Sequence, residues 1–357
     1  MKKICFIAQF PPPVHGLSKA VETLFNSRLS SEYEFEKVDI TNNKKFLSNL
    51  NKISKSDADL FYFTISQTKG GNLRDLMILK RLEKQGKKCL VHLHGGYYRQ
   101  LVDNDLGASQ RKSNYNAISK LAGAIVLGPS LKNIFEGMID SNKIITVPNC
   151  VDDQYLMSDD EFENKIASFN DREIKHVLYL SNFIESKGYP EVLKMAKNEK
   201  ELVDNGGEKR FHFDFAGAFF DKTEEDYFNN YVKHNQLEDY VSYHGVVGGE
   251  KKMELLKNSD IFVLLTRYPK EGQPISILEA MGNGMLIVTT DHAGIPDIVG
   301  EGNIVCKNDS EYEKIDLTVV SREIERLNRE TVKKLYSEAD YINNMDRAFK
   351  EVLDGSK

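Results

Sequence analysis

Two carboxylates, Glu271 and Glu279, stand with seven residues between them in Arg267-Tyr-Pro-Lys-Glu-Gly-Gln-Pro-Ile-Ser-Ile-Leu-Glu-Ala-Met-Gly-Asn-Gly284. Carboxylates repel phosphate but accept hydrogen bonds from hydroxyls, as on a ribose or a hexose. Just before them, Asp260-Ile-Phe-Val-Leu-Leu265 is an apolar run of strand length, the kind buried in a parallel sheet. Pro274 suits the first turn of a helix that runs to about Gly282–Gly284. The stretch therefore predicts a loop that leaves a strand tip and enters a helix. Glu271 lies in the loop, and Glu279 lies over one turn inside the helix. A helix N-terminus at the carboxyl edge of a parallel sheet readily holds phosphate. A phosphate cradle flanked by two hydroxyl acceptors describes a sugar-nucleotide site.

The elements that must position these groups alternate along the chain. Strand-like runs fall at Lys3–Phe10, Leu60–Ile65, Cys89–Leu93, Gly123–Leu127 and Lys143–Pro148, with helix-like segments at Ser18–Leu29 and Leu73–Gln85. Residues Asp153–Lys175 are polar and lack strand signals, which predicts a linker over 153–175. Strands restart at His176–Leu180, Phe211–Ala216, Val241–His244, Ile261–Leu265 and Leu286–Thr289. Helices are predicted at Pro190–Asn198, Tyr227–Asn235, Lys251–Asn258 and Ile275–Met281. Val332, Leu335, Ala339, Ile342, Met345, Phe349 and Val352 recur at helical spacing, predicting one long helix over Thr331–Leu353. Two strand–helix series imply an α/β protein of two doubly wound Rossmann-like domains, 1–152 and 176–330, with a ligand at the carboxyl ends of the sheets.

At 357 residues the chain is long enough for two cores of ordinary size. No apolar run approaches the ~18 residues that span a bilayer. The apolar start, Ile4–Phe10, runs into Pro11-Pro-Pro13 with no cleavage site, so it reads as a first strand and not a signal peptide. Cys5, Cys89, Cys150 and Cys306 lack metal or redox spacing and suit buried positions in a reducing cytoplasm. The net charge of −6 is unevenly spread: residues 1–150 hold 22 Lys and Arg against 13 Asp and Glu, the remainder 26 against 41. Many of the basic residues fall in Lys44–Lys55 and Arg74–Lys88. The N-terminal half thus either faces an anionic membrane surface or carries ordinary solvated helix faces. The acidic whole, without aromatic–basic interleaving, argues against nucleic acid.

Five ordered blocks carry a family resemblance. Pro148-Asn-Cys-Val-Asp152, Tyr243-His-Gly-Val246, Asn258-Ser-Asp-Ile-Phe-Val263, Glu271-Gly-Gln-Pro…Leu278-Glu-Ala-Met281 and Thr290-Asp-His-Ala-Gly-Ile-Pro-Asp-Ile-Val299 stand at the right separations. With them the chain resembles the retaining glycosyltransferases of the GT-B fold, the nucleotide-sugar-dependent family 4. The resemblance implies two Rossmann-like domains facing a cleft, with a C-terminal helix, 331–357, returning to the N-terminal domain. Glu279 would hold the ribose hydroxyls of the donor, and Glu271 would accept from hydroxyls of the transferred sugar. The backbone across Gly272, Gln273, Pro274 and Ile275, through those N–H groups it has, would cradle the diphosphate. Lys187, in Ser181-Asn-Phe-Ile-Glu-Ser-Lys-Gly188, would neutralise the leaving phosphate, with Asn182 nearby and Val246 beside the base. Gly16 would let the N-terminal loop approach the donor, and His94, ahead of Gly95-Gly96, would sit beside the sugar.

The implied activity is retaining, metal-independent transfer of a hexose-type sugar from a nucleoside diphosphate sugar, with UDP as the expected carrier. The implied acceptor is a glycan or lipid-linked oligosaccharide in bacterial surface polysaccharide assembly, on the cytoplasmic side with peripheral contact at the membrane's inner face. No cofactor beyond the donor is implied. Two departures stand out: Asn182 where the family commonly has an Arg, which leaves Arg267 to supply a second cation, and Gln273-Pro274 where it has Phe-Gly. Asp57-Ala-Asp59 and Asp103-Asn-Asp105 imitate a metal-binding pair, but Asp57 and Asp59 precede a strand instead of following one and read as a polar turn. A GT-B-fold epimerase and a non-catalytic partner in a glycan-assembly complex remain as alternatives. A nicotinamide dehydrogenase would need a Gly-x-Gly-x-x-Gly turn after the first strand, where this chain has Pro-Pro-Pro-Val-His-Gly.

Overall fold

A computed structural model describes residues 1–12 and 16–355. The chain divides into two compact units, each built on one six-stranded parallel sheet. The first comprises Met1–Cys150, Pro269–Gln273 and Ala339–Lys357; the second comprises Val151–Tyr268 and Pro274–Glu338.

In the first unit the order is β1 (Lys3–Ala8), α1 (Gly16–Phe25), β2 (Glu34–Asp39), α2 (Phe46–Lys55), β3 (Leu60–Thr64), α3 (Lys69–Lys84), β4 (Cys89–His92), a short α4 (Tyr98–Gln100), α5 (Ala108–Ser119), β5 (Gly123–Val126) and β6 (Ile144–Thr146). The strands lie in the order β2-β1-β3-β4-β5-β6, so the winding reverses between β1 and β3. Every residue of β3 is buried, as its unbroken apolar run predicts.

The second unit runs α6 (Asp159–Ala167), β7 (Lys175–Leu180), α7 (Tyr189–Asp204), β8 (Phe211–Ala216), α8 (Lys222–His234), β9 (Val241–Tyr243), α9 (Gly249–Asn258), β10 (Ile261–Leu264), α10 (Ile275–Gly282), β11 (Leu286–Thr290), β12 (Ile304–Cys306) and α11 (Arg322–Leu335). Its order, β12-β11-β10-β7-β8-β9, reverses between β7 and β10. Ligands of doubly wound sheets bind outside the carboxyl ends of the strands at such a reversal. The segments that matter are therefore those leaving β7 and β10, which carry Lys187 and the entry to α10.

The single long helix predicted over Thr331–Leu353 is two helices. α11 ends at Leu335, and α12 spans Glu338–Asp354. Tyr336 is buried, its hydroxyl donates to the Asp297 carbonyl at 3.2 Å, and its own carbonyl accepts from the Val151 N–H at 3.0 Å. Helical spacing continues across the break because both helices bury an apolar face. α12 joins the core of the first unit, where Tyr341, Met345, Ala348 and Phe349 pack with Phe6, Tyr62, Leu24 and Ile125. Truncating one such aromatic typically costs about 3–5 kcal/mol, so α12 is integral to that core.

The predicted linker also needs correction, since α6 forms within it. Ser158 and Glu161 make a reciprocal capping box at its start, and Phe162 and Ile166 are buried. β2 and β12 fall outside the predicted strands. β2 reads Glu-Phe-Glu-Lys-Val-Asp, and as an edge strand it buries only Val38.

Candidate functional site

The carboxyl tip of β10 is held from two sides. The hydroxyls of Thr289 and Thr290 on β11 donate to the Leu264 and Thr266 carbonyls at 2.8 and 2.5 Å. On the other side, the Arg267 N–H donates to the Ser186 carbonyl at 2.7 Å. Gly188 adopts a φ of +82°, and a Cβ there would lie 2.5 Å from the Leu265 carbonyl oxygen. The turn that carries Lys187 can approach β10 only because that residue is glycine. Lys187 is half-buried, with its ammonium 5.1 Å from the centre of the Tyr268 ring. A cation thus stands beyond the tips of β7 and β10, the neighbouring strands at which the winding reverses.

α10 begins after Pro274, which occupies the N-cap with a φ of −63° and supplies no side-chain cap. The predicted position of Pro274 is thus displaced by one residue, out of the first turn, and Ile275 opens the helix. Glu279, on the second turn, is only 3% exposed. Lys252, projecting from α9, bonds Glu279 Oε1 at 2.7 Å. Burial pushes the Glu279 carboxyl above its ordinary range, against the pull of Lys252. The Lys252 ammonium also lies 4.0 Å from the centre of the Tyr155 ring. Tyr155 is itself fixed: its hydroxyl accepts from the Gly249 N–H at 3.3 Å and its carbonyl from the Asn283 amide at 2.7 Å.

In the first unit, the loop carrying Glu271 and Gly272 is seated on the turn after β4. A Cβ on Gly272 would fall 2.8 Å from the His94 carbonyl oxygen, and one on Gly95 would fall 2.7 Å from that of Lys270. Two glycines therefore let two backbones touch. Gln273 bolts the loop down: its Oε1 accepts from the Asn149 N–H at 2.7 Å, its carbonyl accepts from the Asn149 amide at 2.9 Å, and its Nε2 donates to the Leu127 carbonyl at 3.2 Å. Glu271 is 9% exposed. His94 stacks on His92 with ring centres 3.9 Å apart, and His92 Nδ1 meets the Tyr62 hydroxyl at 2.8 Å. Complete burial drives His92 well below the usual histidine range, with His94 adding to the shift. A neutral imidazole therefore underlies His94. The structure brings His94 together with the Glu271–Gln273 loop.

The remaining predicted residues lie at strand ends. Asn182 is exposed just beyond β7, and its carbonyl accepts from the Tyr179 hydroxyl at 3.0 Å. The β7 and β8 tips meet tightly there, since a Cβ on Gly217 would lie 1.9 Å from the Ser181 carbonyl oxygen. Val246, after β9, is 77% exposed. Gly16 is the exposed first residue of α1, and residues 13–15 of its predicted turn lie outside the described residues.

Arg267 does not stand ready as a spare cation. Its guanidinium reaches the Asp291 and Cys306 carbonyls, both at 3.4 Å, and Asp309 at 3.6 Å. Asp57 and Asp59 hold the foot of β1: Asp57 bonds the Lys3 ammonium at 2.8 Å, and Asp59 accepts from the Lys3 N–H at 2.9 Å. Asp103 and Asp105 accept from the hydroxyls of Tyr115 and Tyr97. Among the described residues, no group of His, Cys, Asp and Glu has metal-holding geometry. No disulfide joins any of the four cysteines.

Lys252 escaped the sequence reading, because nothing in Glu250-Lys-Lys-Met marks one lysine as the partner of a carboxylate 27 residues on. Tyr155, three residues past the Pro148–Asp152 block, carried a fainter signal.

A model of the family described as glycosyl transferases group 1 matches residues 159–340, just over half of the chain. The chain belongs to this family. Among its curated relatives, the mannosylfructose-phosphate synthase of Agrobacterium fabrum is 28% identical over 175 residues, covering 48% of this chain and 37% of the relative. A protein described as the colanic acid biosynthesis glycosyltransferase WcaL, from Salmonella typhimurium, is 29% identical over 115 residues, 30% of this chain and 27% of the relative. The chain thus matches well under half the length of either. Solved structures share the fold over nearly full length: sucrose-phosphate synthase of Thermosynechococcus elongatus (TM-score 0.73, 14% identity, all of both chains). Another is the Anabaena protein HepE in complex with UDP (TM-score 0.70, 13% identity, 98% of this chain and 100% of that one). This group 1 glycosyltransferase chain therefore has the GT-B fold, two six-stranded parallel sheets with flanking helices.

Proposed function

We propose that this protein transfers a hexose-type sugar from a UDP-sugar to a glycan or lipid-linked oligosaccharide, with retention of anomeric configuration and without a metal. The observation that carries the reading is the buried pair of Glu279 on α10 and Lys252 on α9, with α10 following the β10 tip where Lys187 stands. Glu279 accepts the ribose hydroxyls of the donor, and the first amides of α10, which no side chain caps, receive the diphosphate. Val246 lies beside the base, with Asn182 nearby. Glu271 accepts from hydroxyls of the sugar, with His94 alongside.

In this mechanism the sugar–phosphate bond breaks with oxocarbenium character, and the electron pair leaves with the diphosphate. Lys187 and the α10 amides stabilise that growing charge, which is electrostatic catalysis by preorganised groups. The acceptor hydroxyl arrives on the face the phosphate leaves, and a phosphate oxygen takes its proton. UDP as carrier is supported by the HepE complexes with UDP and UDP-glucose, and a role in surface polysaccharide assembly by the WcaL description.

The acceptor-side partner includes an anionic membrane at its cytoplasmic face. On neighbouring helices α2 and α3, Leu47, Leu73 and Met77 are exposed among Lys44, Lys45, Lys52, Lys80 and Lys84. No helix among the described residues is long and apolar enough to cross a bilayer.

The test is nucleotide release from UDP-glucose, UDP-galactose, UDP-N-acetylglucosamine and GDP-mannose, with and without sugar acceptors. Acceptor-dependent release of UDP, and an α-linked product from an α-linked donor, is the expected result. Conversion of the sugar without acceptor would mean an epimerase. Failure of every nucleotide sugar to raise the melting temperature would leave the non-catalytic partner.

A further inference from the structure

The Glu279–Lys252 contact is costly to build, because it takes both of its partners largely out of water. The carboxylate is 4% exposed at its side chain and the ammonium 17%. Removing a carboxylate from water costs several kcal/mol unless partners replace the hydration, so a buried pair of this kind needs a reason beyond stability. Its geometry supplies one. Lys252 engages Oε1 alone, and among the described residues Oε2 has no partner.

The lysine, moreover, is not free to wander. Its ammonium sits over Tyr155, which is bonded at its hydroxyl by Gly249 and at its carbonyl by Asn283. Asn283 in turn donates to the Glu279 carbonyl at 2.9 Å and accepts from the Met157 N–H at 3.0 Å. A closed circuit of α9, α10 and the turn at Asp153–Tyr155 thus fixes where the ammonium can stand.

We propose that Lys252 is a positioning residue of the donor site, holding Glu279 by one oxygen so that the other is presented, charged and oriented, to the ribose hydroxyls of the nucleotide. This rests on the ribose role given to Glu279 above. An aimed acceptor can take two vicinal hydroxyls, whereas a loose or protonated carboxyl meets them poorly. The charged groups facing Glu279 are Lys252 from α9 and, more distantly, Asp152; Arg329 of α11 bonds the Gly282 carbonyl at the far end of α10. Without Lys252, both burial and Asp152 push the Glu279 carboxyl upward with no opposing cation. The variant's grip on ribose should then weaken as the solution becomes acidic.

Binding of UDP and of 2′,3′-dideoxy-UDP to the full chain at pH 6 and pH 8.5 tests this, in wild type, Lys252→Met and Lys252→Arg. Wild type should bind UDP about 10- to 100-fold more tightly than the dideoxy nucleotide at both pH values, the worth of hydrogen bonds to a charged acceptor. In Lys252→Met that ratio should fall at both pH values, and further at pH 6 than at pH 8.5, while Lys252→Arg keeps it. A Lys252→Met ratio equal to wild type at both pH values overturns the proposal. Should Lys252→Met fail to fold, Lys252→Gln carries the same comparison. A wild type that binds both nucleotides equally would instead overturn the ribose role of Glu279, which separates the two failures.

Discussion

Asn149 and Gln273 hold each other at both ends, the Asn149 N–H donating to Gln273 Oε1 at 2.7 Å and the Asn149 amide to the Gln273 carbonyl at 2.9 Å. The residue that departs from the family's Phe is thus a hydrogen-bonding bolt. Gln273→Leu keeps the bulk but orphans the Asn149 N–H and the Leu127 carbonyl, both otherwise satisfied by this side chain. Each orphaned buried group costs about 1–3 kcal/mol, so unfolding free energy should fall by about 2–6 kcal/mol. Urea titration reads this directly, and a loss below about 0.5 kcal/mol would mean that water replaces the amide.

The two glutamates should separate in steady-state kinetics. A ribose contact exists equally in ground and transition states, whereas a sugar contact strengthens as the ring distorts. Glu279→Ala should raise KM for the donor with little change in kcat, and Glu271→Ala should lower kcat. Unchanged KM and kcat in Glu279→Ala would remove the ribose role.

Lys187→Ala should cost on the order of 10²–10³ in rate, the usual loss for one preorganised electrostatic stabiliser. The exposed Asn182 adds no charge of its own, and Arg267 is engaged by Asp291, Cys306 and Asp309. Arg267→Ala should therefore lower kcat by less than about tenfold. The reverse order of effects would give Arg267 the part assigned here to Lys187.

A pH-dependent contribution to stability sits elsewhere in the second unit. Asp214 bridges His176 Nδ1 and His244 Nε2, both at 2.7 Å. The bond to Asp214 raises the His176 pKa above its ordinary 6.5, against the effect of burial. A raised histidine pKa adds stability that is fully present below the unfolded value and is lost as pH rises through the folded one. His176→Gln should therefore destabilise the protein more at pH 6 than at pH 9. Equal losses at the two pH values would show that the imidazole acts only by packing.

Much of this architecture is legible because of how parallel sheets bury their strands. Leu60–Thr64 and Ile261–Leu264 are apolar on both faces and announce themselves, as do the five ordered blocks around the site. β2 escapes because an edge strand can afford Glu34, Glu36 and Lys37. α6 carried a readable capping box at Ser158 and Glu161, masked by its charge. The break at Tyr336 and the Lys252–Glu279 pair have no local signal, since each depends on a partner distant in sequence: Val151 in one case, α10 in the other. Gln273 read as a departure from a motif, and only its three bonds give it a purpose.

The proposed membrane contact makes the last prediction, and side-chain bonds narrow which residues could serve it. Lys88 donates to the Val352 and Leu353 carbonyls at 3.1 and 2.9 Å, capping α12, so it belongs to the fold. Arg81 is tied to the Ser54 hydroxyl at 2.7 Å. Leu73, Met77, Lys80 and Lys84 remain along one exposed stripe of α3, two apolar side chains followed by two cations. Each basic residue near an anionic leaflet contributes about 1 kcal/mol, screened over about a Debye length, and the apolar pair adds burial in the headgroup region. Sedimentation with phosphatidylglycerol vesicles should pull the protein down at low salt and release it at high salt. Lys80→Glu with Lys84→Glu should abolish the salt-sensitive part, and Leu73→Ser with Met77→Ser should weaken binding at every salt concentration. Transfer to a soluble acceptor should stay at wild-type rates in both variants, because the donor-site residues lie in other segments. Equal sedimentation with neutral and acidic vesicles, or none with either, would reduce the stripe to a solvated helix face.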